Sequence, residues 1–199
     1  MKMSSAGSLA ESQIEGKNFA NSIAMMISLI SFTMLFAVLF LGYAVFRFNA
    51  LEWPPMGMER VDLFIPSMST LVIMLSSLTF WGVGSFISSA QKKKAELMGT
   101  LSLLLGVLFV GTQFILWETL RSKGIYQGTG IYASLIYGFT WTHVGHMVLA
   151  IALKTWLILM VFRAKEVRDI GQNLVRNVSM FWHFLGIVWI LIYVVLFVL

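Results

Sequence analysis

Three histidines, His143, His146 and His183, are the residues in this chain best suited to chemistry. An imidazole can ligate zinc, iron or haem, and it can carry a proton near neutral pH. His143 and His146 stand three apart, which on a helix separates them by about 60° on one face. All three lie within apolar stretches. With the helix ends placed as below, His146 lies roughly 22 Å from one membrane boundary and His183 roughly 8 Å from the other. In a hydrocarbon core of ~30 Å the two reach the same depth and can meet between the fourth and fifth helices.

Several chemistries compete for them. A His-x-x-His pair with a third histidine has the donors for zinc or iron. Di-iron bundles, however, also bring carboxylates to core depth. Here Glu118 falls at a membrane boundary and the other acids fall in loops. Bis-histidine haem needs two facing rings and a gap lined by small residues. A proton relay needs a buried acid to take the proton onward. The residues favour a structural role, as neutral imidazoles hydrogen-bonded across helices. The absence of cysteine excludes disulfides, iron–sulfur clusters, thiolate zinc and cysteine nucleophiles. No catalytic, cofactor-binding or metal-ligating residue is therefore assigned, and a His-ligated membrane metalloprotein stands as an alternative. Lys154, in the second half of the fourth helix on the side of a basic loop, is expected to snorkel to the headgroups, alone or with Arg163 and Lys165 around an anionic lipid phosphate.

The elements that position these residues are membrane spans. Apolar residues make up 58% of the chain and charged residues 12%, which places it among integral membrane proteins. Apolar runs of about 18 residues or more recur along its length and leave no room for a soluble domain. Residues 1–18 form a polar, serine-rich tail that lacks the pattern of a cleavable signal peptide. A single transmembrane domain, 19–199, follows. Its five helices are expected near 19–48, 63–89, 95–119, 131–162 and 178–199. Trp53-Pro54-Pro55 interrupts the chain after the first, with Trp53 at headgroup level. Ser69, Thr70, Ser76 and Ser77 supply hydroxyls to the second helix or its neighbours. Lys92-Lys93-Lys94 separates the second helix from the third.

On the last helix Trp182, Gly186, Trp189 and Tyr193 fall in one stripe, with Gly186 as a dent between large rings. Such a stripe is a packing surface for a helix or a lipid. The fold class is thus an all-α, polytopic membrane bundle of five helices. Lys2, Lys17, Lys92, Lys93, Lys94, Arg163, Lys165, Arg168 and Arg176 fall on one side. Arg47, Arg60, Arg121 and Lys123 fall on the other. The positive-inside rule then puts the N-terminus in the cytoplasm and the C-terminus outside. The basic residues gather at helix ends rather than in a stripe, so no nucleic-acid partner is expected.

Together these residues resemble subunit III of the haem–copper respiratory oxidases. The resemblance runs from about Ser31 to Tyr193. It rests on Trp53-Pro54-Pro55-x-Gly57, Pro66-x-x-x-Thr70 with Ser76-Ser77 beyond it, Gly111-x-Gln113, Tyr132-x-Ser134, and His143-x-x-His146. Its most specific piece is Trp182-His183-Phe184-x-x-x-Val188-Trp189 followed by Tyr193. Five helices match the shorter bacterial form, found in some cytochrome c oxidases and in bo-type quinol oxidases. The sequence also departs from the family. A glutamate usual in the first of these helices is missing around Ser31-Phe32-Thr33. Leu116 and Gly186 stand where a glutamate and an aspartate are common.

The resemblance implies a non-catalytic, lipid-binding subunit of a bacterial terminal oxidase in aerobic respiration, one part of an oxidoreductase complex. Haem and copper are then expected in the partner subunit I rather than in this chain. Subunit I, subunit II, other small subunits and membrane lipids are the implied partners, and the bacterial plasma membrane the location. The chain is expected to pack on subunit I and to support its proton uptake and stability. Trp53, Trp182, His183, Trp189, Tyr193, His143, His146, Lys154 and Arg163 are the expected lipid-binding or structural residues. The rival from another class is a small secondary transporter or channel, which favours broken helices and charged midplane sites.

Overall fold

The computed structural model describes residues 3–55 and 61–199, with side chains from residue 16 onward. Met56, Gly57 and Arg60, which belong to the first loop, and Met1 and Lys2 lie outside the described residues. Five long helices account for nearly all the rest: α1 (Met3–Asn49), α2 (Phe64–Ser88), α3 (Lys92–Ser122), α4 (Ile131–Arg163) and α5 (Gln172–Tyr193). The described residues contain no strand. All five helices are long and apolar enough to cross a membrane, as the sequence leads one to expect. In α1 the helical backbone already begins at Met3, and the stretch able to span runs over Gly16–Asn49. The polar N-terminal segment and the first span are therefore one continuous helix.

Local chemistry sets the ends. The Asp62 Oδ1 accepts the Phe64 N–H at 3.1 Å as α2 begins. Pro66 sits in that first turn, where its missing N–H breaks no helical bond. Only Ser89, Ala90 and Gln91 separate α2 from α3. Ala90 takes a left-handed φ of 56°, and the Gln91 N–H returns to the Phe86 carbonyl at 2.8 Å. This tight reversal makes α2 and α3 an antiparallel hairpin, the most extensively packed pair in the molecule.

The triple lysine has a specific internal use. Lys92 donates to the Phe162 and Ala164 carbonyls, at 3.1 and 2.6 Å, and so caps the end of α4. Arg163, beside these carbonyls, is exposed. At the opposite end the α3–α4 loop is pinned by Tyr137, which donates to the Ile125 carbonyl at 3.0 Å. Trp53 wedges edge-on between Tyr43 and Tyr132, with ring centroids at 5.5 and 5.3 Å, and the Arg47 guanidinium lies 5.8 Å from its ring. This joins the first loop to α1 and α4.

The helices contribute unequally to the core. The share of each span buried within the chain rises from 6% for α1 to 50% for α5. The C-terminal helix is the central one, with α2, α4 and α1 packed around it, and α1 at the periphery against α5 and α4. In lipid there is little hydrophobic gain from joining helices, so close packing and hydrogen bonds must hold them. Two glycines mark the closest approaches. A Cβ at Gly186 would lie 3.1 Å from the Ser77 Oγ of α2. One at Gly106 of α3 would lie 2.6 Å from the Trp182 ring of α5.

Candidate functional site

The aromatic stripe of α5 faces helices rather than lipid. Trp182 and Trp189 are fully buried. The Trp189 Nε1–H donates to the Thr70 Oγ1 of α2 at 3.0 Å, and the Tyr193 and Ser67 hydroxyls bond at 2.8 Å. Phe109 of α3 meets Trp189 edge-on at 4.9 Å. One turn in each direction from Gly186, an indole thus fills a space that small residues on α2 and α3 leave open. The α2 hydroxyls expected to bond within or across helices do both. Thr70 also bonds back to the Pro66 carbonyl at 2.8 Å, while Ser69 reaches Thr112 of α3 at 2.8 Å.

The three histidines do not come together. His143 is fully buried among the rings of Phe36, Phe109 and Trp189, at centroid distances of 6.2, 5.8 and 5.4 Å. His146 lies against α1, with Phe32 edge-on at 4.5 Å and Phe36 at 5.6 Å. Its Nδ1 is 2.7 Å from the Thr142 carbonyl. A carbonyl can only accept, so Nδ1 carries the hydrogen. His183 is half-buried on another face, in a groove between α2 and α5. Among the described residues no three of His, Cys, Asp and Glu gather in a way that could hold a metal ion. The angular position of each ring around the bundle was not legible in the sequence. The cross-helix hydrogen bonds expected of the histidines are also missing at His143, whose two ring nitrogens have no partner among the described residues.

Lys154 departs furthest from expectation. It does not snorkel and does not join Arg163 at headgroup level, for it is fully buried. A helical side chain leans toward its helix N-terminus. For α4 that direction runs away from Lys92 and Arg163, into the bundle. The Nζ donates to the Ser102 Oγ at 2.7 Å and reaches the Ser102 carbonyl at 3.3 Å and the Ser76 Oγ at 3.5 Å. It also sits 3.4 Å from the Trp182 ring centroid and 4.3 Å from that of Phe80. α2, α3, α4 and α5 thus meet at one amine. The composition drew attention to the residue, but Ser102 and Gly106 gave no separate signal. Each is an ordinary small residue in a membrane helix until its neighbours are known.

Two connected hollows run along the outside of α2 and α5. One, of 630 Å³, is apolar and is lined by residues such as Leu71, Met74, Leu78 and Ile190. The other, of 830 Å³, shares Trp81, His183 and Ile187 with it and adds Arg176, Gln172, Ser85, Ser88 and Ser179. The Arg176 Nη2 donates to the Ser22 Oγ of α1 at 2.9 Å, which fixes its head beside the polar end. The whole is an amphipathic groove with a cation at one end and a greasy channel leading from it.

Comparison with known proteins agrees with the fold and the motifs. The family model for cytochrome c oxidase subunit III matches residues 8–199. Cytochrome c oxidase subunit 3 of Thermostichus vulcanus is 27% identical over 89% of this chain and 86% of its own length. Cytochrome c oxidase subunit 3 of Bacillus sp. (strain PS3) is 28% identical over 94% of this chain and 88% of its own length. Cytochrome bo(3) ubiquinol oxidase subunit 3 of Pseudomonas putida is 26% identical over 83% of this chain and 79% of its own length. With a match over nearly the whole chain, five spanning helices and the aromatic stripe of α5 packed at their centre, the protein belongs to the cytochrome c oxidase subunit III family.

Proposed function

We propose that the chain is the non-catalytic, lipid-binding third subunit of a bacterial haem–copper terminal oxidase in the plasma membrane. It packs on subunit I, which holds the haem and copper, and supports that subunit's proton uptake and working life. Subunit II and smaller subunits complete the assembly. The observation that carries the lipid reading is the amphipathic groove of α2 and α5. Its polar end, with Arg176, Gln172 and serine hydroxyls, suits a phosphate and its glycerol oxygens. Its apolar end, from Leu71 to Ile190, suits an acyl chain. His183 stands where the two meet and provides a polar atom at the level of an ester. Trp53 and the exposed Arg163 serve as boundary residues, Trp53 through its ring contacts and Arg163 through its charge. His143, His146, Trp182, Trp189 and Tyr193 are structural in this reading, because each is spent on contacts within the bundle.

The test is to remove the subunit from the assembled oxidase and follow turnover. The haem spectrum of the remaining enzyme is expected to be unchanged, while activity decays several-fold sooner during sustained turnover. Arg176→Gln in the intact complex is expected to lower the lipid phosphorus that co-purifies with it. A haem spectrum that collapses on removal of this chain, or a Soret band in the purified chain alone, would overturn the reading.

A further inference from the structure

We propose that Ser76, Ser102, Phe80 and Trp182 form a site for an alkylammonium ion at the centre of the bundle, and that the chain's own Lys154 fills it in charged form. The Ser76 Oγ donates to the Ser102 carbonyl at 2.7 Å, and the Ser102 Oγ donates to the Ser76 carbonyl at 2.5 Å. Each hydroxyl has one hydrogen, and this reciprocal clasp between α2 and α3 uses both. What the pair turns toward Lys154 is therefore lone pairs only. The three nearest oxygens, two hydroxyls and one carbonyl, lie within 3.5 Å of the Nζ. An ammonium has three hydrogens and no lone pair, so it matches this set. A neutral amine would hold a lone pair with no donor in front of it.

The aromatic rings point the same way. The Nζ stands 3.4 Å from the centroid of Trp182 and 4.3 Å from that of Phe80. The negative face of an aromatic ring attracts a cation. The Trp182 N–H is at the ring edge and is buried without a hydrogen-bond partner, so it is not spent on the amine. Among the described residues the only ion pair is Lys92 with Glu96, so no carboxylate shares the site. Oxygen dipoles and ring faces take the place of a counter-ion. Position reinforces this. Ser102 lies about 15 Å along α3 from Lys92, and Ser76 lies about 18 Å from either end of α2. The charge is thus held near mid-membrane, where an ionisable residue is kept only if it is well solvated by the protein. One amine then binds α2, α3, α4 and α5 into a single register, the best-attested use of a buried charge. The inference rests on the bundle alone and is independent of the lipid reading.

The site can be emptied and refilled. Lys154→Ala removes three carbons and the amine, the shape of propylammonium. In the full chain in mild detergent, this variant is expected to unfold roughly 5–10 °C below the unaltered protein. Millimolar propylammonium should restore at least half of the loss, and 1-propanol at the same concentration should restore little. Equal rescue by the alcohol, or no rescue by the amine, overturns a cation site. A second measurement needs no ligand to enter and keeps the test alive if Lys154→Ala does not fold. Fluorinated tryptophans placed at position 182 of the otherwise unaltered chain withdraw charge from the ring face. Stability should fall step by step with each added fluorine, by roughly 1–2 °C each. A flat series means that the amine is carried uncharged and contradicts the proposal.

Discussion

Trp182→Ala is expected to be the most damaging single substitution in the chain. Trp182 is fully buried, covers Gly106 and lies against the Lys154 amine. A buried tryptophan cut to alanine costs about 3–5 kcal/mol, from lost contacts and from the cavity left behind. In a membrane bundle nearly all of this is packing, because lipid offers the unfolded indole an equally apolar home. At ~2–4 °C per kcal/mol for a chain of this size, the unfolding temperature in detergent should fall by roughly 6–20 °C. Thermal unfolding followed by circular dichroism or by retention of the monodisperse peak in size exclusion measures this. A fall of under about 2 °C would mean that the α5 stripe is not the centre of the fold.

Gly106→Leu approaches the same contact from the other side. Even the first carbon of a side chain at 106 would come within 2.6 Å of Trp182 Cη2 and 3.1 Å of its Cζ2. The indole has no room to retreat, so α3 and α5 must separate. Overpacking of this kind costs about 1–3 kcal/mol, and leucine belongs at the upper end. The two substitutions should not add. In the double variant the leucine can occupy part of the space that the indole vacates. Its loss is expected to be smaller than the sum of the single losses by ~1–3 kcal/mol. Strict additivity, measured by the same unfolding assay, would show that residues 106 and 182 do not share a contact.

These two positions also show what the sequence could and could not disclose. The five spans were legible because a stretch of some 18 or more apolar residues has few other stable fates. The importance of the Trp182–Tyr193 stripe was legible from its spacing, since residues 182, 186, 189 and 193 must share one face of any helix. Which neighbour fills the dent at Gly186 was not, because that depends on helix register across chain-distant segments. The answer, Ser77, is an unremarkable residue on α2. Lys154 illustrates the same limit with a charged group. Its place in the second half of α4 suggested an escape to the headgroups, but about 13.5 Å of helix separates it from Arg163, more than a lysine side chain spans. The lean of helical side chains toward the N-terminus, together with three oxygens and two rings from other helices, directs it inward. The histidines were expected to meet between the fourth and fifth helices, and they face different neighbours. His143 and His146 turn toward α1 and the core, while His183 turns toward the groove.

The missing carboxylates gain meaning from this arrangement. Leu116 is buried in the core, and position 186 is pressed against Ser77. A glutamate or an aspartate at these places would be an uncompensated charge unless protonated or paired. A basic residue, Lys154, stands at core depth instead, with its amine among hydroxyls and ring faces.

In the function proposed above, this chain works as part of a larger oxidase and carries no redox centre itself. A gentle detergent pull-down of the tagged chain, with an optical spectrum and mass spectrometry of what accompanies it, decides this. Large multi-helix subunits are expected to arrive together with haem absorption, and the haem to leave with them when the complex is split. Recovery of the chain alone, or as a colourless homo-oligomer, would contradict the claim, as would a coloured chain free of any partner.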